Sequence, residues 1–287
     1  MDEQQITVNG QQIAFRSSAG QDQPVIFIHG NSCSSSTWSN ILDGPFGQRY
    51  RCLALDLPGH GNSAKATDPK DYSLPGYAKV LTDFAAASQA QNAVIVGWSL
   101  GGHIALEAAP HLQTANGFVI FGTPPIATAD QMSVAFQPNP AMAFTFAPSI
   151  TPDEARSYAE AFTAPRSSLD LDEIVADVLR TDGAARAGLG ASLAEGRYAD
   201  EVAIVNAMNK PLAILHGEGE QLISLDYLRT LSPPTLWRHE LQLIPGAGHA
   251  PHLETPDQFT ALLTQFLADL AYSSSCATSV SPTHCSY

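Results

Sequence analysis

Residues 93–107 of the chain read AVIVGWSLGGHIALE, and this stretch decides the fold. Its first four residues form an apolar run typical of a buried strand, and residues 103–107 favour a helix. Ser99 lies between them, with Gly97 two residues before it and Gly101 two residues after it. A serine on a tight turn from strand to helix needs small residues at those positions, because larger side chains would collide with neighbouring backbone. The stretch therefore predicts a nucleophile elbow with Ser99 as the catalytic nucleophile.

A histidine and an acid follow the elbow in the chain, each after a largely apolar run. His249 lies on the loop PGAGH behind residues 241–244, and we predict that it is the general base. Residues 211–216 lead into the loop GEGE, where the orienting carboxylate belongs. Glu220, three residues after the first glycine of that loop, is the expected acid, and Glu218 is the alternative. The order Ser, acid, His is that of α/β-hydrolases.

A third signature lies upstream, where the apolar run 25–28 leads into the turn His-Gly-Asn-Ser at 29–32. We expect the backbone N–H groups of Asn31 and Leu100 to bind the oxygen that becomes negative when the nucleophile attacks. Each such donor contributes about 3 kcal/mol to transition-state stabilisation. His29 itself is interpreted as structural, hydrogen-bonded beneath the loop.

Outside these motifs, apolar runs alternate with helical stretches, which predicts a mostly parallel central sheet flanked by helices. The dipeptide Asn9-Gly10 predicts an opening hairpin over residues 5–16. From about residue 126 to 209 no strand-like alternation occurs, and the pattern becomes helical, while a helix at 256–270 closes the core. We expect an α/β-hydrolase core at 1–123 and 210–272, a helical lid inserted at 124–209 and a flexible tail at 273–287.

The composition excludes several classes of protein. A chain of 287 residues can bury one large core, and its formal net charge of −14 argues against binding to nucleic acid or to anionic membrane surfaces. No stretch approaches the roughly 20 apolar residues of a membrane-spanning helix. Residues 1–5 are acidic and polar, where a secretion signal would be basic and then apolar. We therefore expect a soluble, cytoplasmic protein.

The cysteines and histidines show no metal-site spacing. His249 and His252 lack a third ligand at a suitable distance in the chain, so we expect no metal and no organic cofactor. Cys276 and Cys285 lie in a terminus rich in serine and threonine, where a disulfide between them is the alternative to a mobile tail.

Six segments together resemble the N-acyl-homoserine lactonases of the α/β-hydrolase superfamily, over residues 5–270. They are HGNS at 29–32, DLPGHG at 56–61, GWSLGGH at 97–103, GTPP at 122–125, RTDGAAR at 180–186 and AGHAP at 247–251. Most of these motifs specify only the superfamily, whereas GWSLGGH, GTPP and RTDGAAR are narrower. The acid loop departs from the family, because this chain has GEGEQL where the family tends to carry Asp-Glu-Pro-Phe.

The resemblance implies a metal-independent serine hydrolase that opens the ring of N-acyl-homoserine lactones, a quorum-quenching activity. It assigns a triad, an oxyanion hole and a substrate contact in the lid, which are Ser99, His249 and Glu220, then Asn31 and Leu100, then Tyr158. Without the resemblance, a lid tyrosine is read as packing with its hydroxyl at the surface. Trp98 either binds substrate or packs beneath the pocket. The expected partner is a small ester or lactone, and a monomer is favoured.

Two other functions stay open. Substrate choice depends on the lid, so a carboxylesterase, an enol-lactonase or a carbon-carbon bond hydrolase of the same architecture is the first alternative. The second is a receptor of this fold that binds a ligand without turning it over, and the full set of catalytic residue types argues against it. Serine at the nucleophile position argues against epoxide hydrolase and haloalkane dehalogenase chemistry, which use aspartate there.

Overall fold

A mostly parallel sheet forms the centre of the fold. The computed structural model describes the backbone of residues 2–279 and the side chains of residues 3–273. Within that part the strands are β1 Asp2–Val8, β2 Gln11–Ser17, β3 Asp22–Ile28, β4 Tyr50–Leu55, β5 Val94–Trp98, β6 Gly117–Phe121, β7 Leu212–Gly217 and β8 Gln242–Ile244. They form one eight-stranded sheet in the order β1-β2-β4-β3-β5-β6-β7-β8. The pairs β1/β2 and β2/β4 are antiparallel and the other neighbours are parallel, so the predicted α/β class is confirmed.

The opening hairpin turns at the predicted dipeptide. Asn9 and Gly10 have φ values of 52° and 78°. A type I′ turn requires positive φ at both central residues, which asparagine and glycine adopt at little cost. The two strands pair from Val8↔Gln11 to Asp2↔Ser17 and add an antiparallel edge to the sheet.

The central strands bring the predicted motifs to one edge. β5, β6 and β7 are buried along their whole length, because helices cover both faces of the sheet. This burial explains why their sequences are continuous apolar runs instead of alternating ones. The pairings Ile28↔Gly97, Trp98↔Phe121 and Phe121↔Leu215 align the carboxyl ends of the strands. Residues that directly follow these strands therefore lie side by side.

Helices of very different length surround the sheet. In chain order they are α1 Ser39–Asp43, α2 Pro45–Arg49, α3 Leu74–Ala87, α4 Leu100–Ala108, α5 Ala129–Ala135, α6 Pro152–Glu160, α7 Asp172–Arg180, α8 Gly183–Ala194, α9 Glu201–Ala207, α10 Leu225–Leu228, α11 Pro251–Glu254 and α12 Pro256–Ser279. Among the described residues no helix has the length and apolar character that a membrane span requires.

Residues 124–209, called the insertion below, separate β6 from β7. They carry α5 to α9, and the described part of this segment holds no strand beyond the single bridge Phe136↔Ile223. Local sequence explains where its helices begin. In α6, the Thr151 side chain accepts from the Glu154 N–H while the Glu154 carboxylate accepts from the Thr151 N–H, which satisfies two free amides of the first turn.

The closing helix is longer than predicted. α12 continues to Ser279, whereas we expected the helix to end at residue 270 and a flexible tail to begin at 273. Its sequence contains no proline or glycine between residues 257 and 281, so nothing in the local chemistry stops the helix where the apolar pattern fades. Cys276 and Cys285, for which a disulfide was the alternative to a mobile tail, lie outside the described side chains.

Candidate active site

Ser99 occupies a sharp turn between β5 and α4. Its φ and ψ are 54° and −117°, a conformation that costs a residue other than glycine on the order of 1–3 kcal/mol. Close packing enforces this turn, because a Cβ on Gly97 would lie 2.3 Å from the Gly101 carbonyl oxygen and one on Gly101 would lie 2.2 Å from the Ile28 oxygen. The Ser99 N–H donates to the Phe121 oxygen at 2.9 Å. The half-buried Ser99 side chain is thus fixed at the carboxyl edge of the sheet.

Two backbone amides at this edge have no acceptor. The pairing Ile28↔Gly97 aligns β3 with β5, so Asn31 and Leu100, each three residues beyond that pair, follow neighbouring strand ends. Within the described part of the chain neither N–H donates a hydrogen bond, although Asn31 is 5% and Leu100 6% exposed. Buried amides of this kind usually find an acceptor. Two such donors beside a serine can bind an oxyanion.

His249 and Glu220 form a buried pair. His249 Nδ1 donates to Glu220 Oε2 at 2.8 Å, and the Leu222 N–H donates to Glu220 Oε1 at 2.7 Å. Burial disfavours the charged carboxylate, but the charge and hydrogen bond of His249 outweigh it and hold the pKa of Glu220 below its usual range. Glu218 is exposed. Of the two acids that the sequence offers, the structure joins Glu220 to the imidazole.

The second ring nitrogen of His249 is available for proton transfer. Nε2 is buried and has no hydrogen-bond partner among the described residues. The imidazole lies against Gly122, where an added Cβ would be 2.6 Å from His249 Cε1. Gly122 directly follows Phe121, and the Phe121 oxygen accepts from the Ser99 N–H. Ser99 and the imidazole therefore contact consecutive residues at the carboxyl end of β6. Because Nδ1 donates to the carboxylate, Nε2 is the nitrogen that carries no proton whenever the ring is neutral.

Of the two positions that the sequence left open for Trp98, the structure favours packing over substrate contact. Its side chain is fully buried, and its Nε1 donates to the His249 carbonyl oxygen at 2.8 Å. Its ring centroid lies 4.6 Å from that of His252 and 5.4 Å from that of Phe162. A buried indole N–H needs an acceptor, and the His249 backbone provides it. Trp98 therefore packs beneath the site and supports the backbone of the histidine.

Tyr158, the predicted substrate contact, lies in α6 and is 3% exposed. Its ring centroid is 4.7 Å from that of Phe162, which in turn is 5.8 Å from the imidazole of His249. Its hydroxyl is hydrogen-bonded to the Thr145 side chain, and burial raises the pKa of Tyr158, so the phenol is neutral. The backbone carbonyl of the same Thr145 accepts from Asn31 Nδ2 at 2.7 Å. These contacts connect the insertion to the loop that carries the Asn31 amide.

The same loop is bound by buried charges of the insertion that the sequence analysis did not single out. Asp177 Oδ2 accepts from the Ser34 hydroxyl at 2.5 Å and from the Ser36 hydroxyl at 3.1 Å. Arg186 is 2% exposed and donates to the Val178 oxygen at 3.1 Å and to the Ser32 hydroxyl at 3.5 Å. The only sequence signal for this region was the motif RTDGAAR, which stood out by resemblance and not by chemistry.

A hydrogen-bonded pair, His103 and Glu201, holds the two ends of the insertion to α4. His103 Nδ1 is 2.8 Å from Glu201 Oε1, and Glu201 Oε2 accepts from the Ile126 N–H at 3.0 Å. Ile126 lies near the start of the insertion and Glu201 near its end. One carboxylate thus joins both ends to the helix that follows Ser99.

His29 has the structural role predicted for it. The Leu57 N–H donates to His29 Nε2 at 3.0 Å, which leaves His29 Nδ1 to donate to the Gly30 oxygen at 2.8 Å. Burial, with a smaller contribution from the Arg180 charge, lowers the pKa of His29 to about 4 against the opposing effect of the Gly30 hydrogen bond. The ring is therefore neutral and braces the loop from below, as expected.

Comparison with known proteins settles the family. The profile of the alpha/beta hydrolase family matches residues 25–262. The chain belongs to this family. The N-acyl homoserine lactonase AidH, solved with N-hexanoyl homoserine, is 32% identical with a TM-score of 0.89 and covers 99% of both chains. The resemblance to these lactonases that the motifs indicated is confirmed.

Other relatives have different names. A pimeloyl-[acyl-carrier protein] methyl ester esterase of Nitrosomonas europaea is 25% identical over 85% of this chain and 95% of its own length. An uncharacterized protein of Mycobacterium tuberculosis is 38% identical over 103 residues, which are 36% of this chain and only 29% of that protein. The esterases and lactonases among these relatives support an ester-hydrolysing enzyme.

Proposed function

We propose that this alpha/beta hydrolase is a serine hydrolase that opens the lactone ring of N-acyl-homoserine lactones, a quorum-quenching activity. The similarity to the lactonase AidH carries the proposal, because it extends over 99% of the chain and so includes the insertion. Fold similarity limited to the sheet would support only ester hydrolysis, since substrate choice depends on the segments that cover the site.

The first half of the proposed reaction forms an acyl-enzyme. Ser99 Oγ attacks the lactone carbonyl carbon while its proton passes to His249 Nε2, and Glu220 stabilises the imidazolium. The carbonyl oxygen becomes negative and accepts from the Asn31 and Leu100 N–H groups. Collapse breaks the ring carbon-oxygen bond, and the ring oxygen takes the proton from His249. The leaving hydroxyl stays attached to the acyl group.

The second half regenerates the enzyme. Water attacks the ester carbon as His249 Nε2 takes its proton, and the same two amides hold the second oxyanion. The bond to Ser99 Oγ then breaks and the proton returns to the serine. The net change is addition of one water to the lactone to give N-acyl-homoserine. The pKa of Glu220, held below its usual range, keeps the carboxylate charged through both halves.

In this proposal the insertion acts as a lid and recognises the acyl-homoserine portion. Tyr158 is placed for this role by its contact with Phe162 beside His249 and by its link through Thr145 to Asn31. A phenol that is neutral and already held in position can donate to a lactone or amide oxygen without losing further rotational freedom.

The alternative is a general carboxylesterase. The methyl ester esterase of Nitrosomonas europaea, which matches over 85% of this chain, favours it. The same triad would then cleave a simple acyl ester and release an untethered alcohol.

Product analysis separates the two functions. With N-hexanoyl homoserine lactone we expect mass spectrometry to detect N-hexanoyl homoserine, one water heavier, without hexanoic acid, at a rate unchanged by chelators. Ser99→Ala is expected to lower that rate on the order of 10⁴-fold while leaving the circular dichroism spectrum unchanged. Undetectable lactone turnover beside rapid cleavage of a nitrophenyl ester would establish the esterase alternative. Release of hexanoic acid would indicate an amidase and refute both.

A further inference from the structure

The carboxylate of Glu254 joins two backbone amides that are distant in the chain. Its Oε2 accepts from the Gly248 N–H at 2.6 Å, and its Oε1 accepts from the Ala164 N–H at 2.7 Å. Gly248 directly precedes His249, whereas Ala164 belongs to the insertion. Both bonds are short, as expected for amides that donate to an ionised acceptor.

Residues 162–164, called the junction segment here, lie against the loops of both His249 and Glu220. The Ala250 N–H donates to the Phe162 oxygen at 2.9 Å, and Gln221 Nε2 donates to the Thr163 oxygen at 2.7 Å. The backbones are in direct contact, because a Cβ on Gly248 would lie 2.3 Å from the Ala164 nitrogen. A shift of the junction segment would therefore be transmitted to both loops.

The junction segment also reaches the imidazole directly. The Phe162 ring lies 5.8 Å from that of His249 at an interplanar angle of 31° and 5.4 Å from that of Trp98. Trp98 in turn donates to the His249 oxygen. The Phe162 ring thus contacts both the imidazole of His249 and the indole that holds the His249 backbone.

A carboxylate suits this junction better than any other side chain. Both of its oxygens accept, so it can satisfy two converging N–H groups at once. Glutamine of the same size would offer one oxygen and one NH₂ group, and the NH₂ group would oppose an N–H. Leaving one partly buried amide unpaired is costly and would weaken the contact between the two backbones.

We propose that Glu254 is a positioning residue for His249, acting by fixing the junction segment of the insertion to the histidine loop. The inference deepens the proposed function, because it takes His249 as the general base. In this arrangement the insertion helps to position the triad histidine as well as covering the substrate.

The experiment compares Glu254→Gln with Glu240→Gln as a matched control, since Glu240 is exposed and its carboxylate makes no hydrogen bond or ion pair within the described residues. Active sites are titrated with a fluorophosphonate and mass spectrometry, and kcat per labelled site is measured on a nitrophenyl ester and on N-hexanoyl homoserine lactone. Glu254→Gln is expected to label fully at Ser99 but slowly, and to lose about 10- to 100-fold in kcat on each substrate the wild type cleaves, with little change in KM. Glu240→Gln should match the wild type.

Each outcome has a defined meaning. Wild-type kcat per labelled site in Glu254→Gln, with only fewer sites labelled, would show that Glu254 merely stabilises the fold and would overturn the inference. Should that variant not fold, Glu254→Asp, which keeps two acceptor oxygens at shorter reach, replaces it with the same criterion. Absence of lactone turnover by the wild type would refute the proposed function. The kcat on the nitrophenyl ester would still test the role of Glu254. Labelling at a residue other than Ser99 would refute the triad itself.

Discussion

The sheet core and the insertion differ in the polar contacts that hold them. The central strands β5, β6 and β7 are buried along their full length and pair through continuous backbone ladders. The insertion shares the apolar core through buried residues such as Phe162, Val178 and Leu189. It adds buried side-chain hydrogen bonds from Asp177, Arg186 and Glu201. Apolar burial thus stabilises both regions, while directional polar contacts fix the insertion on the core.

This difference affects how each region tolerates change. Apolar burial contributes about 25 cal/mol per Å² and is not directional, so a core strand tolerates side chains of similar size. A buried polar contact adds only about 0.5–1.5 kcal/mol, but removing one partner leaves the other unsatisfied at greater cost. The polar contacts between the insertion and the core therefore specify the position of the insertion more than they stabilise the fold. Several of them end on the loop that carries Asn31.

The largest expected effect concerns the core and tests which of two acids in one loop serves His249. Glu220→Gln is expected to lower kcat about 10³- to 10⁴-fold on a nitrophenyl ester, because the imidazole loses the anion that fixes its tautomer and stabilises its charge. Glu218→Gln, whose carboxylate is exposed, should lose less than about threefold. Steady-state kinetics of both variants check this. Equal small losses would move the search for the acid to the insertion, beginning with Asp130.

The pH dependence of folding stability tests the core separately from the insertion, because the buried histidines among the described residues all lie in the core. Burial lowers the pKa of His29 to about 4 and that of His60 to about 3, against 6.5 for the free side chain. The unfolded chain then binds more protons between pH 6.5 and pH 4, so stability falls as the pH falls through that window. His29 alone accounts for about 3 kcal/mol at its lower end. Urea unfolding midpoints at several pH values measure the slope.

Matched variants test whether buried core histidines cause this loss of stability at low pH. His60→Gln is expected to flatten the slope, and replacement of the exposed His111 by Gln should leave it unchanged. Asp177 in the insertion works in the opposite direction, because burial raises its pKa against the hydrogen bonds of Ser34 and the charge of Arg180. Its protonation on acidification therefore favours the folded state. A stability that stays level from pH 6.5 to pH 4 would contradict the neutral buried histidines.

The smallest expected effect concerns the insertion and separates recognition from packing. Tyr158→Phe should lower kcat/KM for N-hexanoyl homoserine lactone about 10-fold and for a small nitrophenyl ester less than twofold, since only the larger substrate would lose a hydrogen bond. The ratio of the two losses is the measurement. An equal effect on both substrates would show that the hydroxyl serves packing through Thr145.

Sequence reasoning succeeded where local patterns suffice. The hairpin at Asn9-Gly10, the elbow at Ser99 and the helical character of the insertion each follow from spacing within a few residues, and the structure contains them. The helix end at Ser279 was missed because the apolar pattern fades near residue 270, although no glycine or proline there stops the helix.

Contacts between distant segments could not be predicted in this way. Asp177 meets Ser34 across 143 residues and Glu254 meets Ala164 across 90, and no periodicity connects such pairs. The choice between packing and substrate contact for Trp98 was left open for a related reason. Trp98 adjoins the nucleophile in sequence, but its contacts are with His249, His252 and Phe162.

Gly122 limits which substitutions the site tolerates. Its φ of 59° already disfavours other residues, and the place of its missing side chain is taken by the imidazole, 2.6 Å from where a Cβ would be. Even alanine would displace the imidazole of His249 instead of reshaping a substrate wall. A library intended to broaden the substrate range should therefore keep this position fixed and draw its diversity from the insertion outside residues 162–164, which pack against His249 and its loop.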